Sequence, residues 1–210
     1  WNPVTAERMN LALQDNGQTS TADLHLEANE SAFIVFSNEQ ETGLTDYSPT
    51  ERETLLTIDT PWKVDFQKGM RGPDETYVMT ELQTWDKNED ERIRYFSGTA
   101  TYTNTFKLKK QPDQPVWIDL GRVMVMARVY VNNQYAGGVW TSPYRLNIQH
   151  LLHKGTNTLR VEVINNWQNR LIGDQKLPEN ERPTWTSVNP WRADSPLQES
   201  GLVGPVRLLQ

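Results

Sequence analysis

From residue 55 onward the chain repeats one pattern: a short run with apolar side chains at every second position, then a cluster of turn residues. Trp62-Lys63-Val64-Asp65-Phe66 alternates cleanly, and Thr99 to Leu108 is a longer, Thr-rich stretch of the same kind. Leu55 to Ile58, Val116 to Leu120, Val123 to Val131, Tyr135 to Trp140, Tyr144 to Ile148 and Thr158 to Ile164 continue the pattern, and Gly204 to Leu209 closes the chain. A side-chain period of two puts one face of each strand on a core and the other in water. Turn signals recur at a spacing of roughly 8–12 residues, with no βαβ alternation and no internal repeat. This predicts an all-β fold, an antiparallel β-sandwich or jelly roll. Asn132-Asn133 marks a hairpin turn, because Asn tolerates positive φ. Gln149 to His153 reads as one helical turn, Asp86 to Arg92 as a charged loop, and Thr76 to Trp85 leaves room for a short helix.

Upstream of this region, Ala22 to Ala28 alternates and predicts a strand, and Phe33-Ile34-Val35-Phe36 reads as a buried run. Residues 37–53 are polar and predict a linker. The expected organisation is therefore 1–46, the end of a preceding β domain plus linker, and 47–210, the sandwich. The charge divides in the same way. The net charge is −6, yet residues 1–50 hold 8 acids and one base, and the rest holds 19 acids and 20 bases. Without a basic stripe, nucleic acid is not an expected partner. No apolar run approaches the ~20 residues that a membrane helix needs. The absence of cysteine removes disulfides, thiolate nucleophiles and Cys-based zinc sites. The chain opens at Trp1, with neither an initiator Met nor a leader, and is expected to be a piece of a larger polypeptide. An apolar fraction of 36% is low, but 10% aromatic residues and the β-branched runs suffice for a core.

The stretch 165–200, between the last two strands, is too long for an ordinary connection, and loops of that length carry function or an interface. It holds Trp167, Asn169, Arg170, Asp174, Trp185 and Trp191. Aromatic faces beside Asn, Arg and Asp suit a sugar, whose CH face packs on Trp while its hydroxyls take polar partners. The same residues also suit a self-packing loop pinned by an Arg170–Asp174 pair. Trp140 and Tyr144, at a strand end, either join that patch or cap the core. His150 and His153 read as solvated and lack a third metal ligand nearby. Glu75, Glu81, Asp174, Glu179, Glu181, Asp194 and Glu199 lie in loops or near strand ends, but no local catalytic motif accompanies them. Glu89-Asp90-Glu91 reads as a solvated loop, with a structural Ca²⁺ as the alternative.

The runs Ile93 to Tyr102 and Val129 to Trp140, followed by Pro143-Tyr144, resemble the galactose-binding-like domains of family 2 type glycoside hydrolases. Their hairpin reads V-x-V-N-G-x-x-V-G, and Asn133 stands here at the Gly position. Leu146-Asn147-Ile148 with Lys154 to Leu159 fits the same pattern. Asn165 to Asp174, with the ending Ser200 to Val206, resembles the C-terminal region of large bacterial α-L-rhamnosidase-like enzymes of glycoside hydrolase family 106, and residues 1–36 resemble the end of the domain before it. The resemblance implies a non-catalytic accessory module of a bacterial enzyme, periplasmic or extracellular, that acts on plant-type or other complex polysaccharide. The module would dock on the catalytic domain of the same polypeptide and contact carbohydrate. An autonomous carbohydrate-binding module is the alternative, and a glycosidase in its own right stands behind both. No catalytic residue and no cofactor is carried over. The expected carbohydrate or docking surface is Trp140, Tyr144, Trp167, Asn169, Arg170, Asp174, Trp185 and Trp191.

Overall fold

The computed structural model describes residues 1–37, 42–48 and 52–210. Part of the predicted linker, residues 38–41 and 49–51, lies outside them. The chain forms two compact units, Trp1–Arg52 and Glu53–Gln210.

Among its described residues the first unit has only two-residue strands. β1 (Met9–Asn10) pairs in parallel with β4 (Thr45–Asp46), and β2 (Gln14–Asp15) pairs with β3 (Ser20–Thr21). The alternating run Ala22 to Ala28 is not a strand, and Phe33 to Phe36 is exposed instead of buried. Alternation prepares a strand for a sheet but does not supply the neighbouring ladder that satisfies its backbone. Here the backbone finds other partners. His25 donates its N–H to the Tyr47 hydroxyl and accepts from it through its carbonyl, and Trp1 and Phe33 exchange backbone hydrogen bonds.

The second unit is an all-β sandwich. Its strands are β5 (Thr54–Thr57), β6 (Trp62–Phe66), β7 (Tyr77–Met79), β8 (Thr99–Leu108), β9 (Trp117–Asp119), β10 (Arg122–Met124), β11 (Met126–Val131), β12 (Gln134–Val139), β13 (Arg145–Asn147), β14 (Gly155–Ile164), β15 (Gly201–Gly204) and β16 (Arg207–Leu209). Six form an antiparallel sheet in the order β12-β11-β14-β8-β6-β7, four form a second sheet in the order β13-β9-β16-β5, and β10 pairs with β15. Among the described residues two short α-helices, α1 (Glu91–Arg94) and α2 (Gln168–Asp174), and three 3-10 turns, Trp85–Lys87, Gln149–Leu151 and Glu179–Glu181, interrupt the strands.

The period-two pattern sets the core. Ala100, Tyr102, Phe106 and Leu108 of β8 face inward with Leu159, Val161 and Val163 of β14, and with Trp62, Val64 and Phe66 of β6. Ile118 and Leu208 of the smaller sheet belong to the same cluster. Each of the larger aliphatic and Phe side chains contributes roughly 1.5–3 kcal/mol on burial. The outer positions of β8 are mainly Thr, β-branched and water-compatible. The β11–β12 turn is Asn132-Asn133, both at positive φ, as a two-residue hairpin of this hand requires. Asn132 also locks the fold with its side chain. Its Oδ1 accepts from Thr158 N at 2.9 Å, and its Nδ2 donates to the Asn157 Oδ1 at 2.8 Å. Asn157, fully buried, returns bonds to the carbonyls of His153 and Gly155.

Candidate functional site

The stretch after β14 is rooted in the sandwich at both ends. At its start, Asn165 Oδ1 accepts from Gly98 N at 2.9 Å and its Nδ2 donates to the Phe96 carbonyl at 2.8 Å, while the Ser97 hydroxyl donates to the Asn166 carbonyl. At its return, the Ser200 carbonyl accepts from Trp85 N, and the Tyr102 hydroxyl, inside the core, accepts from both Trp85 Nε1 and Leu202 N. Gly201 sits at φ +105, and a Cβ there would lie 2.5 Å from Trp85 Nε1, so the return tolerates only glycine.

Between these roots the residues predicted as a polar loop form helix α2, whose Ile172 side chain is buried. Gly173 faces Tyr95 so closely that a Cβ would approach its Cγ to 2.7 Å. Asn169 stands at 1% exposure and belongs to the interior, not to the surface expected for it. Its Nδ2 donates to the Gln198 carbonyl at 2.7 Å and to Ser200 Oγ at 3.3 Å, and its Oδ1 accepts from Gln198 N at 2.8 Å. An amide with two donors and an acceptor is what an irregular returning strand needs for its backbone groups. The Asn169 side chain thus stitches the helix to the returning strand.

Asp174 and Arg170 are also mostly inside, with side chains 4% and 12% exposed. Asp174 Oδ1 accepts from Arg71 Nη1 at 3.5 Å and lies 3.8 Å from Arg170 Nη1, while its Oδ2 accepts from Thr184 N at 3.1 Å. The predicted Arg170–Asp174 pair is therefore present, and through Thr184 it pins the middle of the stretch. Burial pulls the Arg170 guanidinium below its ordinary value; Asp174 opposes this and Arg71 adds to it. Arg170 Nη2 is buried and has no hydrogen-bond partner among the described residues. Arg71 is a member that the sequence reading missed. It lies in the β6–β7 connection, 103 residues from Asp174, and no local pattern links the two. Its backbone φ is +60, a conformation that non-glycine residues adopt rarely.

The aromatic residues lie outside this network. Trp185 is 86% exposed, Trp140 62% and Trp167 52%; Trp191 and Tyr144 are half-buried, and Tyr144 packs on the core. None of these five rings stacks on another among the described residues; the ring pairs there are Phe66, Trp85 and Phe96 with one another and Trp62 with Tyr102 in the core, Tyr130 with Tyr135, and Trp1 with Phe33. Trp167 immediately precedes α2, and Trp185 follows Thr184, whose N–H donates to Asp174.

Three of the candidate carboxylates are held by arginines: Glu75 by Arg92, Glu199 by Arg122, and Asp174 as above. Asp90, in the acidic loop, caps α1 by accepting from Arg92 N at 2.8 Å, and Arg94 donates to the carbonyls of Asn88 and Glu89. No group of three or more His, Asp or Glu with metal-holding geometry occurs among the described residues. His150 and His153 are exposed. Among the described residues no helix is long and apolar enough to cross a membrane.

Residues 77–196 match the family described as glycosyl hydrolase 2 galactose-binding domain-like. A Formosa agariphila protein provisionally named as a beta-glucuronidase is 36% identical over 154 residues, covering 61% of this chain and 13% of that protein. Among solved structures, the rhamnosidase from Novosphingobium sp. PP1Y superposes with a TM-score of 0.81 at 38% identity, covering 95% of this chain and 19% of that one. A Ruminococcus gnavus b-glucuronidase superposes with a TM-score of 0.54 at 18% identity over 78% of this chain and 30% of that one, a likeness of fold alone. The chain thus spans less than a third of the length of each of these relatives.

Proposed function

Because this chain belongs to the glycosyl hydrolase 2 galactose-binding domain-like family, we propose that it serves as a non-catalytic accessory module of a larger glycoside hydrolase, docked on that enzyme's catalytic domain and contacting carbohydrate. The observation that carries the reading is the 165–200 stretch. It is anchored by buried Asn, Asp and Arg side chains, yet it leaves Trp167 and Trp185 largely in water. An exposed indole stabilises no core, and a rigidly held one loses little entropy when a sugar ring covers it. Docking is supported by the small share of each relative that this chain represents, and by Leu177 and Val188, exposed on the same stretch.

Trp167→Ala and Trp185→Ala test the sugar contact. Each is expected to weaken oligosaccharide binding several-fold by calorimetry and to leave unfolding free energy within about 0.5 kcal/mol, since neither ring is buried. Unchanged titration curves for both variants would remove the sugar contact from the proposal.

A further inference from the structure

The β2–β3 hairpin of the first unit turns through Asn16-Gly17-Gln18-Thr19, and Asn16-Gly17 is the one Asn-Gly pair in the sequence. The residue after an Asn decides how easily its backbone nitrogen reaches the Asn side-chain carbon, and glycine has no Cβ to block the approach. Gly17 sits at φ +84, and a Cβ built on it would meet nothing within 4 Å, so the space around the pair is open. All four loop residues are exposed, so water reaches them and ammonia can leave.

The polar groups of the loop are placed as an acyl transfer requires. The Gly17 N–H donates to Asp15 Oδ1 at 2.7 Å, which puts a carboxylate on the proton that this nitrogen must shed to act as a nucleophile. Asn16 Oδ1 accepts from Gln18 N at 3.0 Å and from Thr19 N at 2.8 Å. Two backbone donors on one carbonyl oxygen draw charge from Asn16 Cγ and stabilise the oxyanion that forms when it is attacked. Asn16 N donates to the Thr19 carbonyl at 3.2 Å, and Asp15 lies opposite Ser20, so the loop is held closed. Nucleophile and electrophile are neighbours along the chain, and no encounter between separate partners has to be arranged.

We propose that Asn16 is a self-modification site, which the loop converts to aspartate and isoaspartate through a succinimide. Gly17 N attacks Asn16 Cγ and Asp15 takes its proton. The Cγ–Nδ2 bond then breaks, and the proton departs with Nδ2 as ammonia. Water opens the five-membered ring at Cγ to give aspartate, or at the Asn16 backbone carbonyl carbon to give isoaspartate. Either product adds a negative charge beside Asp15, and isoaspartate also inserts a methylene into the main chain between β2 and β3.

The test is incubation of the full chain at neutral pH and body temperature, followed by peptide mapping with fragment mass spectra that place each conversion at its residue. A synthetic peptide of residues 11–24 supplies the same sequence without the fold. Asn16 in the chain is expected to convert about ten-fold or more faster than in the peptide, as a positioned base with oxyanion donors provides. Asp15→Asn, at an exposed side chain, keeps an acceptor oxygen for the Gly17 N–H but no base, and should bring position 16 down to the peptide's rate or below. Asp15→Ala should do the same with no new amide at position 15. Conversion no faster in the chain than in the peptide overturns the proposal, as do Asp15 variants that convert as fast as the unaltered chain.

Discussion

Replacing Tyr102 by Phe removes one oxygen from the middle of the sandwich and leaves the ring in place. The side chain is fully buried, edge-on to Trp62 at 6.3 Å between centroids, and Phe preserves that packing. What disappears is the acceptor for two buried donors, Trp85 Nε1 at 2.6 Å and Leu202 N at 3.2 Å. An orphaned buried donor costs roughly 1–3 kcal/mol, and the longer bond counts at the low end. The hydroxyl's own desolvation is recovered, so the net loss should be about 2–4 kcal/mol. For a domain of this size that corresponds to a fall in Tm of about 5–15 °C. Urea unfolding followed by tryptophan fluorescence measures it, with Tyr130→Phe on the outer face of β11 as a control expected to stay within about 0.5 kcal/mol. Burial drives the Tyr102 phenol far above its ordinary value, so the group stays neutral across any practical assay pH. A loss below about 1 kcal/mol would refute the reasoning, because it would mean that Trp85 and Leu202 find other acceptors. The return of the 165–200 stretch would then not depend on the hydroxyl.

Two further predictions address the stretch and the acidic loop. Gly173→Ala should gain up to about 1 kcal/mol of helix propensity, yet lose more against Tyr95, for a net destabilisation of about 1–3 kcal/mol in the same urea assay; a stabilised variant would contradict the close approach. Hydrogen bonding by Arg92 holds the Glu75 and Asp90 carboxyls below their ordinary values. Groups whose folded-state pKa is lowered stabilise at neutral pH and lose that contribution as pH falls from the ordinary carboxylate range through the lower folded-state value. Arg92→Gln should therefore lower stability slightly at pH 7 and hardly at all at pH 2, the effect being small because the groups face water. An equal deficit at both pH values would count against it.

The strands were legible because the alternation in Thr99 to Leu108 and Thr158 to Ile164 is a local property that any packed sheet would use. The turn at Asn132-Asn133 was legible for the same reason, since the residues that tolerate positive φ are few. The same rule failed at Ala22 to Ala28, where the pattern lacks a partner strand among the described residues. Helix α2 escaped notice because its seven residues give under two turns of periodicity, and Gly173 argues against a helix until Tyr95 is seen beside it.

The candidate site divides along the same line. Residue type alone marked Trp167, Arg170, Asp174 and Trp185 as a constellation suited to sugars, and the spacing of Arg170 and Asp174 already permitted their pairing. Which of the marked residues face water was a matter for the tertiary structure. It turned Asn169 inward, left Trp185 outside, and brought in Arg71 from a connection 103 residues away to create an excess of positive charge. Periodicity is written into neighbouring residues and needs no partner to be read. Charge balance in a buried cluster depends on every group that the fold brings within a few ångströms, and only the folded chain determines which groups those are.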